Sequence, residues 1–401
     1  MLKRTLAALA LGALALAGCQ PDAAPSAPPP TLADLNALAT ESAATAAALA
    51  SPTRTPLPPT WTASPGPTAT ATATPPIPTP EGFRALGTIY YIFEGRSVIE
   101  LTPDGAFTDL LPLPQVWESV TDLGLSPDGV TLSFVAPGSG SARELYALDR
   151  RTLEYRQLSA LGFASLRRPT WRPGGSEIAF VAAQTPDIPH HIYSSTLDSQ
   201  GQRLIWPAEG AAVRDLAWNV DGSVLFFSVG EIFALDLGEN TLSPPLTALS
   251  GFGPDYGLAH SPVESLLYYL KPFRDIMTGE AGGLPHRIST ADLSAAPLEQ
   301  KVGDGFMERL VFNRDGAFLA LASATDVWVR ELAFNSSVQV VSGANHPPQP
   351  ALSPDGQQVA YIDLDAAGVP QVFVVDRLGG AARQITGHTY GTVSDLVWAA
   401  G

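Results

Sequence analysis

The chain has 401 residues, 37 of them proline and 36 glycine, and a formal net charge of -16. That charge argues against nucleic acid as a partner, and an anionic membrane surface would repel the folded part. A single cysteine excludes an internal disulfide framework, and no apolar run after residue 18 reaches membrane length.

The first segment is basic at Lys3 and Arg4, apolar over 6–17, and ends in Leu16-Ala17-Gly18-Cys19. This is the layout of an export signal, too short to span a bilayer by itself. The Leu-Ala-Gly-Cys end resembles the lipobox of bacterial lipoprotein signal peptides. The resemblance implies that residues 1–18 are removed and that Cys19 carries a diacylglycerol and an acylated amino terminus, the two-chain anchoring that holds stably. It also implies an extracytoplasmic, membrane-tethered protein. Gln20, in place of the aspartate that retains such proteins at an inner membrane, implies the outer membrane where one exists.

Residues 19–82 read as a lipidated cysteine followed by a low-complexity stalk of Ala, Pro, Thr and Ser, unable to bury enough surface to fold. Residues 31–50 are the exception. Thr31 begins a short helical pattern with Leu32, Leu35 and Leu38 near one face, without the heptads of a coiled coil. Residues 51–80 repeat Thr-Pro and Ala-Thr, which favours extended polyproline II and a reach on the order of 90 Å. The same composition permits O-glycosylation.

Residues 83–401 are built from one repeat. Ser126-Pro127-Asp128-Gly129 recurs as Arg172-Pro173-Gly174-Gly175, Asn219-Val220-Asp221-Gly222, Asn313-Arg314-Asp315-Gly316 and Ser353-Pro354-Asp355-Gly356. Degenerate copies are Ser261-Pro262-Val263-Glu264 and the terminal Trp398-Ala399-Ala400-Gly401. The Pro127 position thus returns at 173, 220, 262, 314, 354 and 400, at intervals of 46, 47, 42, 52, 40 and 46. Each copy lies between apolar strands, such as 131–136 and 358–362, and a further strand pair follows, as at 144–149 and 154–158. Aspartate tolerates the hairpin turn and glycine supplies its positive φ. Four strands every 40–50 residues is the period of a β-propeller blade. These hairpins and strands resemble the TolB-like, WD-repeat-related propellers of bacterial envelopes. Two features depart from TolB, which has six blades and a preceding α/β domain, so neither its role nor its partners carry over.

The expected fold is therefore all-β: a seven-bladed propeller, with six blades as the alternative. Residues 88–93, 97–101 and 107–111 form three strands with no inner strand before them, while 393–398 is an inner strand with nothing after it. Joining them closes the ring and removes its open edges.

Aligned on the Pro127 position, the inner strands separate into sets. Large residues stand two and four places earlier, among them Trp171, Trp218, His260 and Trp398, then Leu123, Leu216 and Leu396. By strand alternation these pack between blades. Small residues three places earlier, including Gly124, Ala217 and Ala351, should crowd the channel. Five places earlier stand Asp122, Arg168, Asp215, Gly257, Arg309, Gln349 and Asp395, of the same parity and so expected at the channel mouth. Two readings of this ring stand: a self-satisfied circle of ion pairs and caps, or a polar recognition site. Two connections on that face read as long loops, 184–191 with Asp187, His190 and His191, and 271–287 with Phe273 and Asp275.

Catalytic chemistry is sparse. Adjacent His190 and His191 point oppositely on an extended segment and make poor joint metal ligands. No Gly-x-Ser-x-Gly elbow, phosphate loop, dinucleotide fingerprint or zinc motif occurs. The expectation is a monomeric, non-enzymatic, membrane-tethered lipoprotein with no cofactor beyond the lipid on Cys19, displaying a propeller to an envelope protein, peptide or glycan. The alternatives are an envelope lyase or hydrolase working at the channel mouth, and a structural scaffold.

Overall fold

The computed structural model describes residues 87–111, 117–138, 142–186, 190–198, 201–208, 212–293, 299–302 and 305–400. Cys19, the stalk, the helix at 31–50 and Asp187 lie outside the described residues.

The described chain forms seven four-stranded antiparallel sheets. Blade I is assembled from both ends: Thr88–Phe93, Ser97–Leu101 and Phe107–Asp109 are completed by Val393–Ala399 as the inner strand. Thr88 pairs with Ala399 and Phe93 with Val393. Blades II to VII follow in order, with inner strands Thr121–Leu125, Ser165–Trp171, Asp215–Trp218, Tyr256–His260, Arg309–Phe312 and Ala351–Leu352. The ring closes as its two terminal half-blades imply.

The repeat motif is the turn between the first and second strand. Asp128 Oδ1 accepts the Val130 amide at 3.0 Å, and Gly129 takes φ 75°. The aspartate thus acts as an acceptor for the amide two residues on, and glycine alone takes the left-handed conformation. The turns also lock together. A β-carbon on Gly222 would lie 3.3 Å from Pro173 Cδ, and one on Gly316 would lie 2.9 Å from Pro262 Cγ. Proline in one blade rests on glycine of the next.

The core consists of the spaces between sheets. Leu216 and Trp218 of blade IV cluster with Ala179, Val181 and Ile192 of blade III, and Leu396 and Trp398 with Ala351 and Ile362 of blade VII. The large set therefore packs on the preceding blade. Trp171 Nε1 donates to Ser133 Oγ in blade II, and Trp218 Nε1 to the Thr170 carbonyl in blade III. The small set has a different place from the one expected. Ala217 packs with Leu267 and Tyr269 of the next blade, and a β-carbon on Gly124 would point at Trp171. Both sets reach the channel with their edges, because the faces of each sheet look toward neighbouring blades. His260 takes a large-residue position, stacked 5.4 Å from Phe226, and burial holds its imidazole below the usual range.

Candidate functional site

The inner strands begin at one mouth of the channel, and four of them begin irregularly. The ladder gains an extra residue between Thr121 and Gly124, Arg167 and Thr170, Tyr256 and Ala259, and Ser394 and Val397. Asp122, Arg168, Gly257 and Asp395 occupy the bulges at φ 56°, 55°, 64° and 54°. Strand parity therefore breaks between the small set and the mouth residues in these blades.

The bulges turn the mouth residues toward their neighbours around the ring. Gln349 Oε1 accepts the Asp395 amide at 2.8 Å, and Asp395 Oδ2 accepts the Asp122 amide at 3.1 Å. Asp122 Oδ1 accepts the Arg168 amide at 3.1 Å. Arg168 Nε lies 3.8 Å from Asp215 Oδ1, and Asp215 Oδ2 accepts the Leu258 amide at 3.1 Å. Each acceptor side chain thus ties its blade to the next, from VII through I to V. The run stops at Gly257, which has no acceptor. The Arg309 side chain makes no hydrogen bond or ion pair among the described residues. Asp395 is raised above the usual carboxylate range, first by burial and then by the neighbouring Asp122, with Arg309 opposing the shift.

A second group stands beside this circle, and the alignment on the mouth position passed over it. Arg167 Nη2 donates to the Val213 carbonyl at 3.2 Å, and its Nε is buried with no hydrogen-bond partner. Arg214 is exposed. His190 Nε2 lies 3.0 Å from Ser165 Oγ, and the Val213 amide donates to the His190 carbonyl at 3.3 Å. Burial and then the Arg167 and Arg214 guanidiniums lower the His190 imidazole. Arg143 Nη2 donates to Thr121 Oγ1 at 2.9 Å near Asp122. With Arg168 and Arg309, the mouth of a strongly acidic chain carries five arginines around three aspartates. The missed signal was one place from the aligned ring position, at Arg167 and Arg214.

The loop candidates divide. His191 Nδ1 accepts the Ala208 amide at 2.9 Å and serves the sheet. Its partner differs from that of His190, in keeping with opposite directions on the strand. The segment read as a loop over 271–287 is mostly strand. Leu266–Arg274 and Ala281–Ser289 form one long hairpin in blade V, turning only at 275–280. Gly282, Gly283 and Pro285 gave it the look of a loop. The glycines are there because backbones and rings approach closely: a β-carbon on Gly283 would lie 2.6 Å from Tyr256 Oη, and one on Gly282 2.7 Å from Phe306 Cβ. Asp275 Oδ1 accepts the Met277 amide at 2.7 Å and shapes the tip. Phe273 sits between Phe252 and Phe306 at ring distances of 5.6 and 6.0 Å. The inner strand of this blade starts at Tyr256 opposite Leu270, so residues beyond Leu270 stand above the mouth.

No family model and no curated protein matches the chain. Solved structures do. An oligogalacturonate lyase in complex with manganese is similar with a TM-score of 0.54 at 12% identity, over 76% of this chain and 87% of that one. A prolyl endopeptidase is similar with a TM-score of 0.51 at 15% identity, over 78% of this chain and 51% of that one. TolB from Acinetobacter baumannii is similar with a TM-score of 0.48 at 15% identity, over 78% of this chain and 66% of that one, just under two thirds of its length. At these identities the likeness concerns architecture: the protein is a closed seven-bladed β-propeller with TolB-like neighbours. Those neighbours include both enzymes and TolB.

Proposed function

We propose that this chain is an envelope lipoprotein, anchored through lipid on Cys19, whose propeller is a non-catalytic binding module with its site at the arginine-rich mouth. One observation carries the reading. Asp122, Asp215 and Asp395 each accept a backbone amide of the neighbouring blade, whereas Arg214 and Arg309 are exposed and carry guanidinium charge at the mouth. The arrangement suits recognition of an envelope protein, peptide or glycan by a monomer.

Two measurements test the proposal. A fatty-acid analogue fed to cells should label the parent and not Cys19→Ser; equal labelling removes the anchor. Mature protein coupled to beads should capture an envelope partner that Arg167→Gln/Arg214→Gln does not, and Arg214→Gln alone, at an exposed side chain, should weaken capture with an unchanged melting temperature. Capture indifferent to the change would move the site elsewhere. The lyase or hydrolase alternative draws on the neighbours named as enzymes. It would use the second carboxylate oxygens of Asp122 and Asp395, and among the described residues no three His, Cys, Asp or Glu side chains group as metal ligands.

A further inference from the structure

Three features of the mouth point to the chemistry of its ligand. The first is a concentration of guanidinium at the seam of blades III and IV. Arg167 reaches the Val213 carbonyl, Arg168 approaches Asp215, and Arg214 lies between those two contact points in the chain. Asp215 and Asp122 are the carboxylates beside them; Asp215 accepts the Leu216 and Leu258 amides at 3.0 and 3.1 Å, and Asp122 Oδ1 the Arg168 amide at 3.1 Å. Three cations around two carboxylates, each already accepting backbone amides, leave the seam short of negative charge in a chain of net charge -16. Guanidiniums match carboxylates in a planar two-point fork.

The second feature is an apolar ridge that borders this seam. The Arg214 amide donates to the Ser228 carbonyl, and Gly230, two residues on, lies under Leu249, whose Cδ1 would be 3.4 Å from a β-carbon there. From Leu249 the ridge continues through Phe252 and Phe273 to the hairpin tip, where Ile276 and Met277 are 86% and 88% exposed. Two adjacent large apolar side chains held almost wholly in water, on a turn shaped by Asp275, bury nothing of the fold. The third feature is direction. The hairpin rises past the start of its own inner strand, so the ridge and the guanidiniums face the same side.

We propose that this surface binds an acidic peptide segment with apolar side chains, its carboxylates on Arg167, Arg168 and Arg214 and its apolar side chains along Leu249, Phe252, Ile276 and Met277. The inference rests on the mouth being a binding site and names the ligand class for it. An acidic peptide offers both chemistries at a short spacing; a polyuronate supplies the charge without apolar side chains, and free phosphate supplies charge alone.

The test uses mature full-length protein and a fluorescein-labelled octapeptide alternating Glu with Leu or Phe, read by anisotropy. A Lys-for-Glu counterpart is the control, and a polyuronate oligosaccharide and inorganic phosphate are the competitors. The acidic peptide should bind, more weakly as salt rises. Arg167→Gln/Arg214→Gln should weaken it about tenfold or more, the scale for losing charged hydrogen bonds. Ile276→Ser/Met277→Ser should weaken it severalfold with an unchanged melting temperature, since neither side chain packs in the core. Equal binding of the Lys peptide, or acidic-peptide binding indifferent to either variant, overturns the inference. So does a polyuronate or phosphate that binds more tightly than the peptide and is indifferent to the hairpin change. In that last case, or if no probe binds while partner capture still depends on Arg167 and Arg214, the ligand class falls and the mouth remains the site. Capture indifferent to those arginines fails both.

Discussion

At the scale of single residues, the mouth shows how one side chain serves two blades. Asp215 is 6% exposed and accepts the amides of Leu216 in its own blade and Leu258 in the next. Asp215→Ala leaves both donors without an acceptor, at about 1–3 kcal/mol for each that is cut off from water. Urea unfolding should therefore show a loss of roughly 2–3 kcal/mol, and Asp215→Asn, which keeps one carbonyl oxygen, a smaller one. Asp255 gives a pH dependence. It is fully buried, its Oδ2 accepts Thr247 Oγ1 at 2.7 Å, and its Oδ1 has no partner. Burial pushes its carboxyl up to about 6, against the opposing Thr247 hydrogen bond and Lys271 charge. The folded state then holds a proton that the unfolded state releases near pH 4, so stability falls as pH rises from about 4 to about 6 and stays lower above it. Asp255→Asn should remove that fall, matching the parent near pH 4 and exceeding it at pH 7 by on the order of 2–3 kcal/mol in denaturant melts. A parent whose stability rises over this interval relative to the variant would contradict the assignment. The ring position of Asp122, Arg168 and Asp395 was legible from alignment because the repeat fixes distance from each turn. The direction of their side chains was not, since a bulge adds a residue without marking itself in composition.

Among elements, the turn and the hairpin show opposite degrees of legibility. Asp-Gly and Pro-Asp-Gly marked the strand ends correctly because only glycine suits φ near 70° there. The same residue type misled at Gly282 and Gly283, where glycine marks close packing inside a strand. A local pattern cannot tell these uses apart, because the deciding atoms, Tyr256 Oη and the Phe306 ring, come from distant segments. The closing strand was legible, since an inner strand without followers and three strands without a leader leave one solution. Its contribution is testable. Removing residues 393–401 strips the ladder from Thr88–Phe93 and takes Leu396 and Trp398 out of the cluster they share with Tyr91 and Ile362. Loss of a buried tryptophan alone costs about 3–5 kcal/mol. The truncated chain should run as aggregate in size exclusion and melt well below the parent, and Trp398→Ala should fall between them. Unchanged melting on truncation would mean that the ring does not depend on its last strand.

For the whole molecule, the repeats create two unlike ends. At the turn end, Pro173 and Pro262 rest on Gly222 and Gly316 of the next blade, so these turns make a contact between blades as well as a bend. At the other end, side-chain acceptors pass from blade to blade and the circuit lapses between V and VII, where Gly257 and Arg309 stand. Periodicity revealed the number of blades because each must present the same faces to its neighbours. It revealed little of the site, because Arg143, Arg167, Arg214 and the blade V hairpin are the places where the repeats differ. The closure of blade I also has a mechanical side. Gly87 lies beside the Ala399 carbonyl and Phe93 pairs with Val393 at the other end of the same strand pair, so a pull on Gly87 along the strand is opposed by the whole ladder. Such a load runs along Thr88–Phe93 and across hydrogen bonds that lie perpendicular to it, so the bonds resist together in shear and none peels first. The seam that joins the two ends of the chain is thereby oriented to bear tension along its length.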